Sequence, residues 1–301
     1  VLSANLWAQA AENAEAPPEP APTTGNGSME RSSVITGLGE WALARLYPDQ
    51  AVWLSPNEDN RALALFQPEL KTPTRGAVLV LADEGQTADE AVLGPLRQAL
   101  AESGLATMTL GLNEPPEPLR EAREERNVPT PEGEEESTQA VAGNQAAINV
   151  AQSNNLEGLA SEYRTAVSAA LDAAAAELAA RGYQRVYLIG VGWSADYVTQ
   201  WAAATGTPAG VIWLAPRFYP QQLAALPEQL AGERSWRLLD LHDTNGRADL
   251  RAQQRAGAFA RQGVADYQRQ PLPMASPPVA EDARWVANRV VTWVLRQAGS
   301  G

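Results

Sequence analysis

Apolar residues in this chain gather into short unbroken runs, and amphipathic stretches separate them. Ala77-Val78-Leu79-Val80-Leu81, Leu105–Leu110, Val186–Ile189 and Val211-Ile212-Trp213-Leu214 contain almost no polar position, which is the pattern of strands covered on both faces. Between them Leu93, Leu96 and Leu100 recur at helical spacing, as do Leu159, Tyr163, Val167, Leu171 and Leu178 over 156–181. Gly104 and Gly182 stand where those two helices should stop. Thr87-Ala88-Asp89-Glu90 fits a capping box and predicts the start of the first of them. Beyond 189 the order continues as a helix to Gly206, the strand at 211–214, a helix over 219–231, a strand Trp236–Leu241 and a helix over 246–262. A last strand, Val264–Arg269, precedes a helix over 280–297 with Trp285, Val286, Val290, Trp293 and Val294 on its inner face. Alternation of this kind builds a mostly parallel sheet with helices on both faces.

The N-terminal part departs from that rhythm. Ala51–Leu54 and Arg61–Phe66, joined through Asn57-Glu58-Asp59-Asn60, predict an antiparallel hairpin at a sheet edge. Before it, Val34, Leu38, Trp41, Leu43 and Leu46 predict a short helix packed on the domain. Residues 11–33 are dominated by Pro, Ala and Glu, a composition that cannot bury enough apolar surface to offset ordering entropy, and they are expected to be a disordered tether. The chain starts at Val1, and Ala8-Gln9-Ala10 has the small-x-small form of a signal-peptide cleavage site. Residues 1–10 are therefore expected to be the remnant of an export signal, and the protein periplasmic or exported. Residues 113–155 run from Glu114-Pro115-Pro116-Glu117-Pro118 through Glu134-Glu135-Glu136 into a Gln/Asn/Ala stretch without a sustained apolar period. They predict a solvated acidic insertion at the C-terminal edge of the sheet, with a lid or partner-binding loop as the functional counterpart. The folded domain is expected to span 34–298.

Charge narrows the partners. Thirty-six acidic against 23 basic residues leave a net charge of −13, which repels nucleic acid and anionic lipid. The expected partner is a small molecule or a protein, with no membrane span, because no apolar run is long enough to cross a bilayer. The absence of cysteine excludes disulfides, a thiol nucleophile and thiolate metal sites. The lone histidine, His242, is the single candidate for chemistry that needs an imidazole. Neither cofactor nor metal is predicted. Gly190-Val191-Gly192 lies late in the chain and not in a first strand–helix–strand unit, where a dinucleotide fingerprint belongs. The spacing of Asp83, Glu84, Asp240 and Asp243 does not demand a bound cation.

The densest signal is Val186-Tyr187-Leu188-Ile189-Gly190-Val191-Gly192-Trp193-Ser194-Ala195, a buried strand, a tight glycine turn and a helix start. From Arg75 to Gln297 the element order resembles the α/β-hydrolase fold, a three-layer sandwich, here with an antiparallel edge hairpin at its N-terminal side. More narrowly, the chain resembles a family of bacterial, often exported, α/β-hydrolase-like proteins of unknown function. The fold resemblance implies a nucleophile at the centre of G-x-S-x-G in this turn, an acid after the strand ending at Leu241, and a histidine after the last strand. With the strand ending at Ile189, Gly190 opens the motif and Gly192 fills the nucleophile slot, where there is no side chain to attack a carbonyl. The loop 271–278 holds no histidine, and the acidic Asp83-Glu84 pair would oppose a developing oxyanion. The expected protein is thus non-catalytic and binds a ligand or protein at a crevice around Asp83, Glu84, Gly192, Trp193 and His242. Two alternatives stay open. Gly192-Trp193-Ser194-Ala195-Asp196 offers a second register, in which Ser194 with His242 and Asp240 or Asp243 would form a serine esterase. Or the chain is an interaction scaffold acting through its acidic segments. Without chemistry, Ser194 would be a helix cap or a packing residue, His242 a hydrogen-bonding residue of the frame, and Asp243 or Asn245 the cap of the next helix.

Overall fold

The computed structural model describes residues 39–57, 61–127, 142–232 and 234–298. Within them the strands are β1 (Ala51–Leu54), β2 (Ala62–Gln67), β3 (Ala77–Glu84), β4 (Ala106–Leu112), β5 (Val186–Val191), β6 (Gly210–Leu214), β7 (Arg237–Asp243) and β8 (Tyr267–Leu272). The helices are α1 (Glu40–Leu46), α2 (Leu93–Glu102), α3 (Glu117–Asn127), α4 (Ala142–Ala180), α5 (Ser194–Thr205), α6 (Pro220–Gln229), α7 (Gly246–Arg261) and α8 (Ala283–Ala298), the last preceded by a 3₁₀ turn at Ala280–Asp282. The strands form one sheet in the order β1-β2-β4-β3-β5-β6-β7-β8. β1 and β2 pair antiparallel, β2 runs antiparallel to β4, and every other neighbour is parallel. The predicted edge hairpin on a parallel core is therefore present, and the architecture is the three-layer α/β-hydrolase sandwich.

The apolar runs occupy the middle of that sheet for the reason their sequence gives. Val78, Leu79, Val80, Leu188, Ile189, Val211 and Ile212 are inaccessible to solvent because helices cover both faces, with α2 packed on α8 and α4 packed on α5. At the hairpin side the buried guanidinium of Arg97, on α2, donates to Ala88 O, Thr109 Oγ1, Gln50 Oε1 and Asp89 Oδ1. It thereby joins α2 to β4 and to the residue that precedes β1.

Several boundaries differ from expectation. α2 starts at Leu93, not in the Thr87–Glu90 box; the Glu90 carboxylate does accept from Thr87 N–H at 3.2 Å, but it closes a turn ahead of the helix. The last strand lies at Tyr267–Leu272, three residues later than predicted, because the polar Gln268, Arg269 and Gln270 are tolerated at a sheet edge. Trp285, Trp41 and Leu46, predicted to face inward, are 60%, 67% and 66% exposed. The 113–155 segment is not wholly loop, since it contains α3 and the first turns of α4, which begins at Ala142 where a start near 156 was expected. Residues 1–38 and 128–141, which carry the predicted signal remnant, tether and acidic run, lie outside the described residues.

Candidate functional site

The site is built at the C-terminal end of β5. That strand runs to Val191, two residues past the predicted stop, so Gly190 lies inside it. Glycine is required there by close approach: a methyl group on Gly190 would meet Ala195 Cα and Ser194 O at 2.8 Å, so α5 presses directly on the strand backbone. The chain then turns through Gly192 and Trp193 and enters α5 at Ser194. Gly192 has φ 58°, the left-handed region that glycine enters without steric cost. The strand therefore overruns the stop on which the first register was based; Gly192 lies in the left-handed turn that follows it, and Ser194 opens α5.

What fills the space above Gly192 is Asp83, at the end of β3. A methyl group on Gly192 would fall 2.5 Å from Asp83 Cγ and from its Oδ1. That oxygen accepts from the backbone N–H of Trp193 at 2.9 Å and of Glu84 at 3.0 Å. One amide follows Gly192 and the other belongs to the last residue of β3; in hydrolases of this fold, amides from the turn after the central strand and from the loop after an earlier strand hold the oxyanion. Asp83 Oδ2 pairs with Arg217, from the loop after β6, and the Asp83 side chain is 5% exposed. The Arg217 backbone N–H also donates to Gly192 O at 2.9 Å.

Glu84 anchors the rest of the mouth. Its carboxylate accepts from Tyr197 Oη at 2.7 Å, Tyr219 Oη at 3.1 Å and Arg123 Nη1 at 3.2 Å. Burial raises its pKa; the two tyrosine bonds and the Arg123 charge pull the other way without cancelling it. Trp193 stacks on Tyr219 with centroids 4.1 Å apart and planes 9° from parallel. Arg217 lies 4.8 Å from the Trp193 ring, and Arg123 4.5 Å from that of Tyr219. Arg123 belongs to α3, so one helix of the predicted loop is tied to the mouth. Next to it Asp196, fully buried on α5, accepts from Gln200 and Gln222 through Oδ2, and its Oδ1 meets no partner. Desolvation pushes its pKa up to about 6, against the lowering effect of Arg164 and Arg123.

The alternative triad is not assembled. Ser194 Oγ is buried within hydrogen-bond reach of the carbonyls of Val191, at 2.8 Å, and Leu81, at 3.0 Å, which share its single hydrogen, so the hydroxyl packs against the sheet and does not cap the helix. His242 Nε2 lies 3.1 Å from Asp249 Oδ1 on α7, and Nδ1 3.4 Å from Asp240 O. Burial would lower the His242 pKa, but Asp240 and Asp249 outweigh it and raise it. Asp240 is buried between Arg255, at 2.7 Å, and Tyr267 Oη, at 2.7 Å. Burial alone would raise it; His242, Arg255 and Tyr267 together hold it below the usual carboxylate range. Asp243 accepts from Asn245 N–H, and Asn245 caps α7. Of the predicted site residues, Asp83, Glu84, Gly192 and Trp193 are therefore brought together, while His242, Asp240 and Asp243 belong to a separate network with α7 and β8. An open cleft of about 270 Å³ lies between α4 and α5, lined by Arg164, Ser168, Tyr197, Gln200 and Trp201 among others, and it shares Tyr197 with the Glu84 contacts. Among the described residues, no three His, Asp or Glu side chains cluster as a metal site would.

A family model described as "Protein of unknown function (DUF3530)" matches residues 1–296. The chain belongs to the DUF3530 family. No curated protein matches it. Among solved structures this DUF3530 protein is similar to a dienelactone hydrolase from Anabaena variabilis, with a TM-score of 0.52 and 17% identity over 82% of this chain and 96% of that one. It is also similar to Est1E from Butyrivibrio proteoclasticus, with a TM-score of 0.52 and 12% identity over 83% and 99% of the two chains. The esterase domain of a Rhodothermus marinus protein matches with a TM-score of 0.50 and 14% identity over 82% and 97%. At these identities the likeness extends to the fold. Sequence reasoning missed Arg217, Arg123, Tyr219 and Asp196 as members of the DUF3530 site. Arg217, Arg123 and Tyr219 reach it from loops or helices far from the glycine turn in sequence, where no local spacing announces them, while Asp196 sits in the first turn of α5 and its burial is what the sequence did not announce.

Proposed function

We propose that this DUF3530 protein uses a hydrolase scaffold without hydrolase chemistry, as a binding protein for a small molecule or protein at the C-terminal edge of the sheet. One observation carries the proposal: the Asp83 carboxylate occupies the volume of the missing side chain at Gly192 and both nearby amide donors. A carboxylate held there competes with any oxyanion that catalysis would form. Incubation with a fluorophosphonate probe, followed by peptide mapping, tests this. No labelled serine is expected, and labelling of Ser194 would overturn the proposal.

The serine-esterase reading, with Ser194, His242 and Asp240 or Asp243, is favoured by the resemblance to an esterase domain and a dienelactone hydrolase. It requires Ser194 to leave two strand carbonyls and His242 to leave Asp249, and the same labelling experiment decides it. The Ala8-Gln9-Ala10 sequence supports export, and N-terminal sequencing of the protein recovered from each cell fraction tests that. Loss of a co-purified partner on deletion of 128–141 would instead support the scaffold reading.

A further inference from the structure

We propose that the Trp193 and Glu84 amides, together with the Arg217 guanidinium, form a working carboxylate-binding cradle whose present occupant is the chain's own Asp83. The inference rests on the reading that Gly192 replaces a nucleophile, and it goes further by naming the chemical class the site selects: small monocarboxylates.

Three separate elements supply the donors. Glu84 N–H comes from the end of β3, Trp193 N–H from the turn before α5, and Arg217 from the loop after β6. Their geometry is that of carboxylate recognition: two N–H groups on one oxygen, at 2.9 and 3.0 Å, and a guanidinium on the other. Bonds of this kind to an ionised acceptor are about twice as strong as neutral ones. The first turn of α5 adds its own positive end. The room is a consequence of sequence, since any side chain at 192 would begin inside the space that the Asp83 carboxyl group fills. The occupant is tethered through one Cα and needs no more of β3 than its last residues. With that side chain shortened, the cradle keeps its donors and its volume but loses the charge that balances them. Half-buried N–H groups and a guanidinium left without an acceptor carry a cost, so the vacant cradle should take a carboxylate from solution. In the native protein Asp83 acts as an internal competitor, and a ligand that enters here must bring an anionic group able to replace it.

The test is chemical rescue. Asp83→Ala is titrated with sodium acetate and, at matched ionic strength, with sodium chloride, and thermal unfolding is followed. Ligand that binds only the folded state raises the unfolding temperature with the logarithm of its concentration. The expected result is an acetate-specific rise in Asp83→Ala, no such rise in wild type, and acetate binding weakened ~tenfold or more in Asp83→Ala/Arg217→Ala, which lacks the charged donor. Equal curves in acetate and chloride for a folded Asp83→Ala overturn the proposal. Should Asp83→Ala fail to fold in chloride, recovery of the native circular dichroism on refolding in acetate supports it, and no recovery overturns it. Fluorophosphonate labelling of Ser194 would defeat the non-catalytic reading without touching this result. Absence of rescue would defeat the cradle while leaving that reading in place.

Discussion

Placing a side chain on Gly192 is the most direct way to ask whether Asp83 stands in for a lost nucleophile. Two costs arise in Gly192→Ala. The residue must hold φ 58° with a Cβ, at about 1–2 kcal/mol. The new methyl would also begin 2.5 Å from Asp83 Cγ, so the carboxylate must leave its two amides. Hydrogen bonds to a charged group are worth about 1.5–3 kcal/mol each, less whatever water recovers at the new position, so this displacement costs about 2–4 kcal/mol. Asp83→Ala alone should cost that same 2–4 kcal/mol, because it empties the same two bonds. In the double variant the displacement has already occurred, and Gly192→Ala adds only its backbone strain. Urea unfolding of the four proteins should therefore give a sum of single effects that exceeds the double by about 2–4 kcal/mol, well above the scatter of about 0.5 kcal/mol for independent sites. Additivity would show that Asp83 does not occupy the space over Gly192, and the account of the turn between β5 and α5 would fall with it.

Other variants test the surrounding network. Asp196→Asn should stabilise the protein at pH 8 by up to about 3 kcal/mol, the equivalent of a rise from 3.8 to about 6. Because the folded state holds that proton more tightly, wild-type stability should fall as pH climbs through this window, and urea midpoints of the variant should lose that slope. His242 acts in the same direction over a higher pH window: as a base whose pKa is raised on folding, it stabilises fully below its unfolded value and loses that contribution as pH rises through the folded one. His242→Gln should abolish this decline in a pH series of melting curves; an unchanged decline would place its origin elsewhere. Arg255→Met leaves Asp240 buried beside one fewer cation and should cost about 3–5 kcal/mol in urea, with the tyrosine and histidine contacts setting the lower end. Ser194→Ala removes a buried hydroxyl bonded to strand carbonyls and should cost about 1 kcal/mol; a larger loss in an esterase assay than in stability would reveal a catalytic serine.

Legibility differed between frame and site for physical reasons. Strands covered on both faces need apolar residues throughout, so β3, β5 and β6 were readable at a glance. β8 was displaced because an edge strand with one polar face carries a weak version of the same pattern. Gly192 was readable because a left-handed turn after a strand restricts the residue type. What Asp83 does there was not, because an acidic residue at a strand end is equally at home in water; only the amides of Trp193 and Glu84, contributed by two elements, give it a role. The tryptophans behave as core with a polar handle: Trp201, Trp213 and Trp236 donate to Asp172, Thr199 and Ala202 O. α3 and the start of α4 escaped notice because their apolar faces are too weak to impose a period on the sequence.

Arg97 has a consequence for how the molecule comes apart. Peeling β1 and β2 away would strip Gln50 from a guanidinium that is 4% exposed and would weaken its hold on Thr109 and Asp89. A buried cation that loses one of its four acceptors carries a penalty, so fraying of the two outer strands is coupled to α2. Amide protons of β1 and of α2 should exchange with deuterium at a common rate, as parts of a single cooperative unit.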